Sequence, residues 1–156
     1  DSLEKRADSL GLSREIIFLG KIPNQEVKNY CHASDLFLFT SLSETQGIVL
    51  LESMAAGTPV LALWGSGTRD VVVNGKNGYM TEASETEFAG KLMDILEKKE
   101  IELLRQGAVM TAENYSSEKI ARLAESAYVE AVYDRMLKEN RRHGDRNRNN
   151  NMVYSG

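Results

Sequence analysis

Two glutamates, Glu44 and Glu52, stand eight positions apart with Gly47 between them, in the run Glu44-Thr45-Gln46-Gly47-Ile48-Val49-Leu50-Leu51-Glu52. Gly47 reads as the start of a helix and Glu44 as part of the loop before it. At ~1.5 Å rise per residue, Glu52 then lies within about 8 Å of that start, so both acids border one helix N-terminus. Such a tip offers free backbone N–H groups and about half a positive charge, which together make an anion site suited to phosphate. We expect the amides of Gly47, Ile48 and Val49 to form it, with Gly47 lacking the side chain that would block close approach. A carboxylate placed on the phosphate would be repelled, so Glu44 and Glu52 are expected to accept from neutral hydroxyls on either side. A diphosphate between two polyol rings meets all of these conditions. Spacing alone leaves a plainer alternative open, in which Glu44 is a loop carboxylate favouring the helix dipole and Glu52 a solvated helix residue.

The elements that must position this tip are read from hydrophobic periodicity. Leu3, Ala7, Leu10 and Leu12 mark a first amphipathic helix, with Gly11 placed as a C-cap. The apolar run Ile16-Ile17-Phe18-Leu19, closed by Gly20, predicts a strand buried on both faces of a parallel sheet. A helix over 25–33 and a strand over 36–39 follow, then a polar loop over 40–47, a helix over 48–56 stopped by Gly57, and a strand over 59–63. Residues 64–79 read as loop, with a brief Val71-Val72-Val73 element and a turn at Asn74-Gly75-Lys76-Asn77-Gly78. Helices are expected over 85–98, 101–114 and 117–140, the last with Ser117 as N-cap and no capping box. The alternation of strand and helix predicts an α/β fold: a Rossmann-like, doubly wound parallel sheet flanked by helices and followed by C-terminal helices. On such sheets ligands sit beyond the carboxyl ends of the strands, where the Gly47 tip falls.

With 156 residues, 42% of them hydrophobic, the chain can bury one core; we expect one domain over 1–140. The Arg- and Asn-rich residues 141–156 are expected to be a tail without order. A net charge of −4 gives no electrostatic reason to expect nucleic acid as a partner. Cys31 is the single cysteine, so no intramolecular disulfide forms, and no signal peptide opens the chain; a cytoplasmic setting is the expectation. The longest apolar run, residues 60–64, falls far short of the ~20 residues that cross a bilayer. Peripheral contact with the inner face of a membrane stays compatible with the sequence.

The run Phe18-Leu19-Gly20, Tyr30, Ala33, Asp35-Leu36-Phe37, Ser41, Glu44, Gly47, Leu51-Glu52, Met54-Ala55-Ala56-Gly57, Pro59-Val60, Gly67 and Asn77-Gly78 resembles the C-terminal domain of family-4 retaining glycosyltransferases, the donor-binding half of a GT-B enzyme. The resemblance covers roughly residues 3–140. It implies that Glu44 contacts the donor sugar in a catalytic role, that Glu52 binds the ribose, and that the backbone of Thr45, Gln46, Gly47, Ile48 and Val49 holds sugar and diphosphate. It implies more weakly that Lys21 and Ile22 meet the base. The donor would be a UDP- or GDP-linked sugar, with no metal or cofactor; clustered His and Cys ligands are lacking in the sequence, which agrees with this. The family's domain normally begins with a further strand and a basic loop, and its acceptor-binding N-terminal domain precedes it. Neither is found in this sequence, so a fragment without turnover of its own is expected. Glutamine at position 46 is similar to bacterial enzymes that glycosylate diacylglycerol; polysaccharide and phosphatidylinositol glycosyltransferases stay open.

Other candidates weigh less. Adjacent helical residues such as Cys31 and His32 point in different directions and make a poor metal pair or nucleophile dyad. Arg69 could touch phosphate, but an ion pair with its neighbour Asp70 is the simpler expectation. A rival class is a non-catalytic nucleotide-sugar sensor or scaffold, against which the intact Glu44 and Glu52 argue. A phospho-acceptor signalling domain is disfavoured because no Asp cluster ends the expected first strand.

Overall fold

A computed structural model describes residues 2–43 and 45–153, with side chains described as far as residue 139. The chain forms two compact units, Asp1–Thr111 and Ala112–Gly156.

The first unit is an α/β layer structure. Helix α1 (Ser2–Ser9) is followed by α2 (Asn24–Ala33), strand β1 (Phe37–Phe39), α3 (Ile48–Ala55), β2 (Val60–Leu63), the short α4 (Ser66–Arg69), β3 (Gly78–Thr81), α5 (Glu85–Glu97) and α6 (Ile101–Asn114). The three strands form one parallel sheet in the order β1-β2-β3, with Leu38 opposite Leu61 and Leu61 opposite Tyr79. Parallel neighbours need crossover connections, and α3 and the segment through α4 supply them.

Strand β2 carries the core. Leu61 packs with Ile95 of α5 and Leu104 of α6, against Leu36, Tyr79, Phe88, Leu92 and Ile101. Val60 and Ala62 point to the opposite face by strand alternation and are equally buried, so the sheet is covered on both sides. Leu50 and Met54 of α3 are buried as well. At the far end of α3, the Arg105 guanidinium donates to the carbonyls of Gly57 (2.7 Å) and Ser34 (3.5 Å), tying the ends of α3 and α2 to α6. Ser84 caps α5 by accepting from the Glu87 amide.

Three expectations are corrected. Residues 16–19 do not form a strand: they carry no regular structure and are exposed, Ile17 to 81%. The sheet has no place for them among the described residues, since β1 pairs only with β2 and no ladder reaches the run. Conversely, β3 lies where a loop was expected through residue 79; its four residues are too few and too mixed to show a period, and register against β2 makes the strand. Within the stretch read as loop, Val71 and Val72 are buried and 71–73 carry no helix or strand. The N-cap of the last helix is Ser116 rather than Ser117, its hydroxyl accepting from the Lys119 amide.

In the second unit, α7 spans Ser117–Val153. The helix thus continues through residues 141–153, which we expect from composition to lack order. Once nucleated, a helix propagates at small cost through residues with no proline among them. Ile120, Leu123, Tyr128, Val129, Val132, Tyr133 and Met136 are exposed along α7.

Candidate functional site

The tip of α3 lies just past the carboxyl end of β1, because the loop that leaves Phe39 leads directly into the helix. Thr45 and Gln46 form an exposed bend, Gly47 is the N-cap, and Ile48 and Val49 open the helix. Among the described residues no side chain caps the tip. The carbonyl of Gly47 accepts from the amides of Leu50 and Leu51, whereas the Ile48 and Val49 amides have no protein acceptor among the described residues. Two donors are therefore left for a ligand at the positive end of the helix dipole. Glu44 lies outside the described residues.

The structure gives glycine at position 47 a further reason. Its φ is +66°, a left-handed conformation that favours glycine. A Cβ there would lie 2.5 Å from the Gly67 carbonyl oxygen and 2.9 Å from Val71 Cγ2. The space a side chain on Gly47 would take is thus filled by the protein's own loop after β2. Only the helical edge at Ile48 and Val49 stays open.

Glu52, one turn into α3, is exposed and makes no ion pair among the described residues. Its charge reaches α2: the Cys31 thiol is pushed above its ordinary range by burial first and by Glu52 second. Glu52 therefore borders the side of the tip nearest α2. Ile22 is half-buried and Lys21 exposed in the bend that leads into α2. The side chain of His32 hydrogen-bonds the carbonyl of Ala56 through Nδ1 (3.0 Å), so it and Cys31 act separately, in packing. Arg69 pairs with Asp70 at 3.5 Å on the surface.

The structure adds a buried polar group that spacing did not single out for a role. Asn77 accepts from the Val73 amide (2.8 Å) and donates to the Val71 carbonyl and to Thr111 Oγ1, both at 2.9 Å. Thr68 donates to the Leu63 and Gly65 carbonyls at 2.9 and 3.1 Å. The signals in the sequence were the turn composition around Asn77-Gly78 and the place of that pair in the family resemblance. A cavity of about 530 Å³ opens beside Trp64, Thr81 and Glu82 at the carboxyl ends of β2 and β3, and its lining does not include the α3 tip. Among the described residues no group of three metal-binding side chains comes together, and no helix is long and apolar enough to cross a membrane.

The chain is similar to known proteins in sequence and in fold. Residues 1–117 match the family described as Glycosyl transferases group 1. The chain is 32% identical over 131 residues to alpha-monoglucosyldiacylglycerol synthase of Acholeplasma laidlawii, covering 83% of this chain and 33% of that protein. The chain thus spans about a third of that relative's length. Among solved structures, the C-terminal domain of a glycosyl transferase group 1 family protein from Francisella tularensis superposes with a TM-score of 0.65 at 28% identity. That match covers 72% of this chain and 60% of the other. The Anabaena protein HepE in complex with UDP-glucose gives a TM-score of 0.67 at 26% identity, over 80% of this chain and 36% of that one.

Proposed function

The chain belongs to the glycosyl transferases group 1 family, and from that premise we propose that it is the donor-binding part of a longer retaining hexosyltransferase. The observation that carries the reading is the open tip of α3, whose Ile48 and Val49 amides face no protein acceptor among the described residues. These two donors would hold the diphosphate of a nucleotide sugar and stabilise the charge that grows on it as the glycosidic bond breaks. Glu52, exposed beside α2, would accept from the ribose diol, and Lys21 and Ile22 would border the base. Thr45 and Gln46 would face the transferred sugar together with Glu44, which the family resemblance gives a catalytic role.

The remaining parts come from outside this sequence. An N-terminal domain would bind a lipid or saccharide acceptor, and the family resemblance supports UDP or GDP as the leaving group, without a metal. A relative that makes glucosyl diacylglycerol favours a lipid acceptor and a cytoplasmic, membrane-peripheral setting. The test is sugar transfer by the full-length protein. Glu44→Ala should lower kcat by at least about a hundredfold while leaving the fold intact, as for loss of a group acting in the transition state. Transfer undiminished by Glu44→Ala would remove Glu44 from the catalytic role, whereas donor binding by a wild type that transfers no sugar would favour the alternative of a non-catalytic nucleotide-sugar-binding or scaffold domain.

A further inference from the structure

We infer that Asn77 is a positioning residue for the donor site: its buried side chain holds the loop against which the N-terminal tip of α3 is set. The inference rests on the reading of that tip as a nucleotide-sugar site. Asn77 is wholly buried and makes three hydrogen bonds, to Val73 N–H, Val71 C=O and Thr111 Oγ1. Thr111 is fixed in turn, donating to the Gly107 carbonyl at 2.8 Å. The amide of Asn77 therefore spans α6 and both ends of the segment 71–73, and leaves that segment no freedom to shift along its own direction.

What this segment touches gives the bonds their consequence. Val71 Cγ2 and the Gly67 carbonyl oxygen occupy the position a side chain on Gly47 would take, at 2.9 and 2.5 Å from an ideal Cβ. The same loop is closed upstream by Thr68, which accepts through its carbonyl from the Val71 and Val72 amides at 3.1 and 2.8 Å. A rigid wall thus meets Gly47, and the next two amides along the chain are those of Ile48 and Val49. Backbone donors aimed at a diphosphate act at full strength only when held to within about 0.5 Å, and buried packing of this kind supplies that. The line of contact runs from the Asn77 amide through Val71 to Gly47 and so to the two open N–H groups. A purely local role, closing the turn into β3, would leave the α3 tip indifferent to residue 77.

The full-length protein separates the two. UDP-glucose and, in parallel, GDP-mannose are titrated against the wild type, Asn77→Ala, Val71→Ala and Leu104→Ala, well below each melting temperature. Leu104 lies in the buried cluster with Leu61 and Ile95 and serves as the control for lost stability alone. Asn77→Ala and Val71→Ala should weaken binding of the preferred donor by about tenfold, the scale on which a small misplacement is felt, with Leu104→Ala near the wild-type value. Should Asn77→Ala not fold, Thr111→Val removes one partner and should show a smaller loss in the same direction. Hydrogen exchange without ligand gives a second readout: the Leu50 and Leu51 amides, which bond to Gly47, should exchange faster in Asn77→Ala and Val71→Ala only. Unchanged donor affinity and unchanged exchange alongside a lowered melting temperature would overturn the inference. Failure of the wild type to bind either donor would instead sink the proposed function, with the exchange rates still deciding whether Asn77 sets the tip.

Discussion

Residues 16–19 and the strand Val60–Leu63 are both four-residue apolar runs, yet one is exposed without regular structure and the other forms the centre of the fold. Composition does not separate them. The difference is that β2 has a ladder partner on each edge, β1 and β3, and helices over both faces, whereas no strand pairs with 16–19 among the described residues. A buried strand must satisfy its N–H and C=O groups as well as hide its side chains, and an apolar run can supply only half of that condition. Strand formation is therefore a property of a run and its neighbours together.

The sharpest way to break this comparison is to truncate one side chain in each run. Leu61→Ala should cost about 2–5 kcal/mol, since it empties a wholly buried site between Ile95 and Leu104. Phe18→Ala in the same chain should change stability by less than about 0.5 kcal/mol, because the ring is exposed. Urea unfolding of both variants decides it; equal losses would mean that 16–19 is packed after all.

A smaller effect sharpens what anchors the β2 side of the sheet. Tyr79, opposite Leu61 in the register, donates its hydroxyl to Glu100 Oε2 at 2.7 Å. That bond, then burial, then the charges of Glu100 and Asp94 raise the phenol above its ordinary value of about 10. A raised folded value means the stabilisation is complete below the unfolded value and is lost as pH climbs through the folded one. Tyr79→Phe should therefore cost about 1 kcal/mol at pH 8, and the gap to the wild type should close in strongly alkaline urea titrations. A gap that does not change with pH would assign the effect to packing alone.

These contrasts also mark what the sequence could disclose. The helix over Ile101–Asn114 and the start of α3 at Ile48 were legible because helical period and punctuation by Gly47 and Gly57 are local signals. Strand β3 was not, because Gly78-Tyr79-Met80-Thr81 becomes a strand through its pairing with Val60–Leu63. At the candidate site, spacing located the helix tip and the exposed Glu52, whereas the atoms that crowd a side chain at Gly47 belong to Gly67 and Val71, twenty and more residues on, and no local signal discloses them. Asn77 was visible as turn composition and as part of the family resemblance, but its role was not, since its partners Val71, Val73 and Thr111 are brought together by the fold.

The central claim is that the amides at the α3 tip hold the diphosphate, and amide NMR of the full-length protein during a UDP titration tests it most directly. The Ile48 and Val49 resonances should move furthest and saturate together, ahead of amides beside Trp64 and Glu82 in the neighbouring cavity. Saturable shifts centred on that cavity, with Ile48 and Val49 unmoved, would contradict the account.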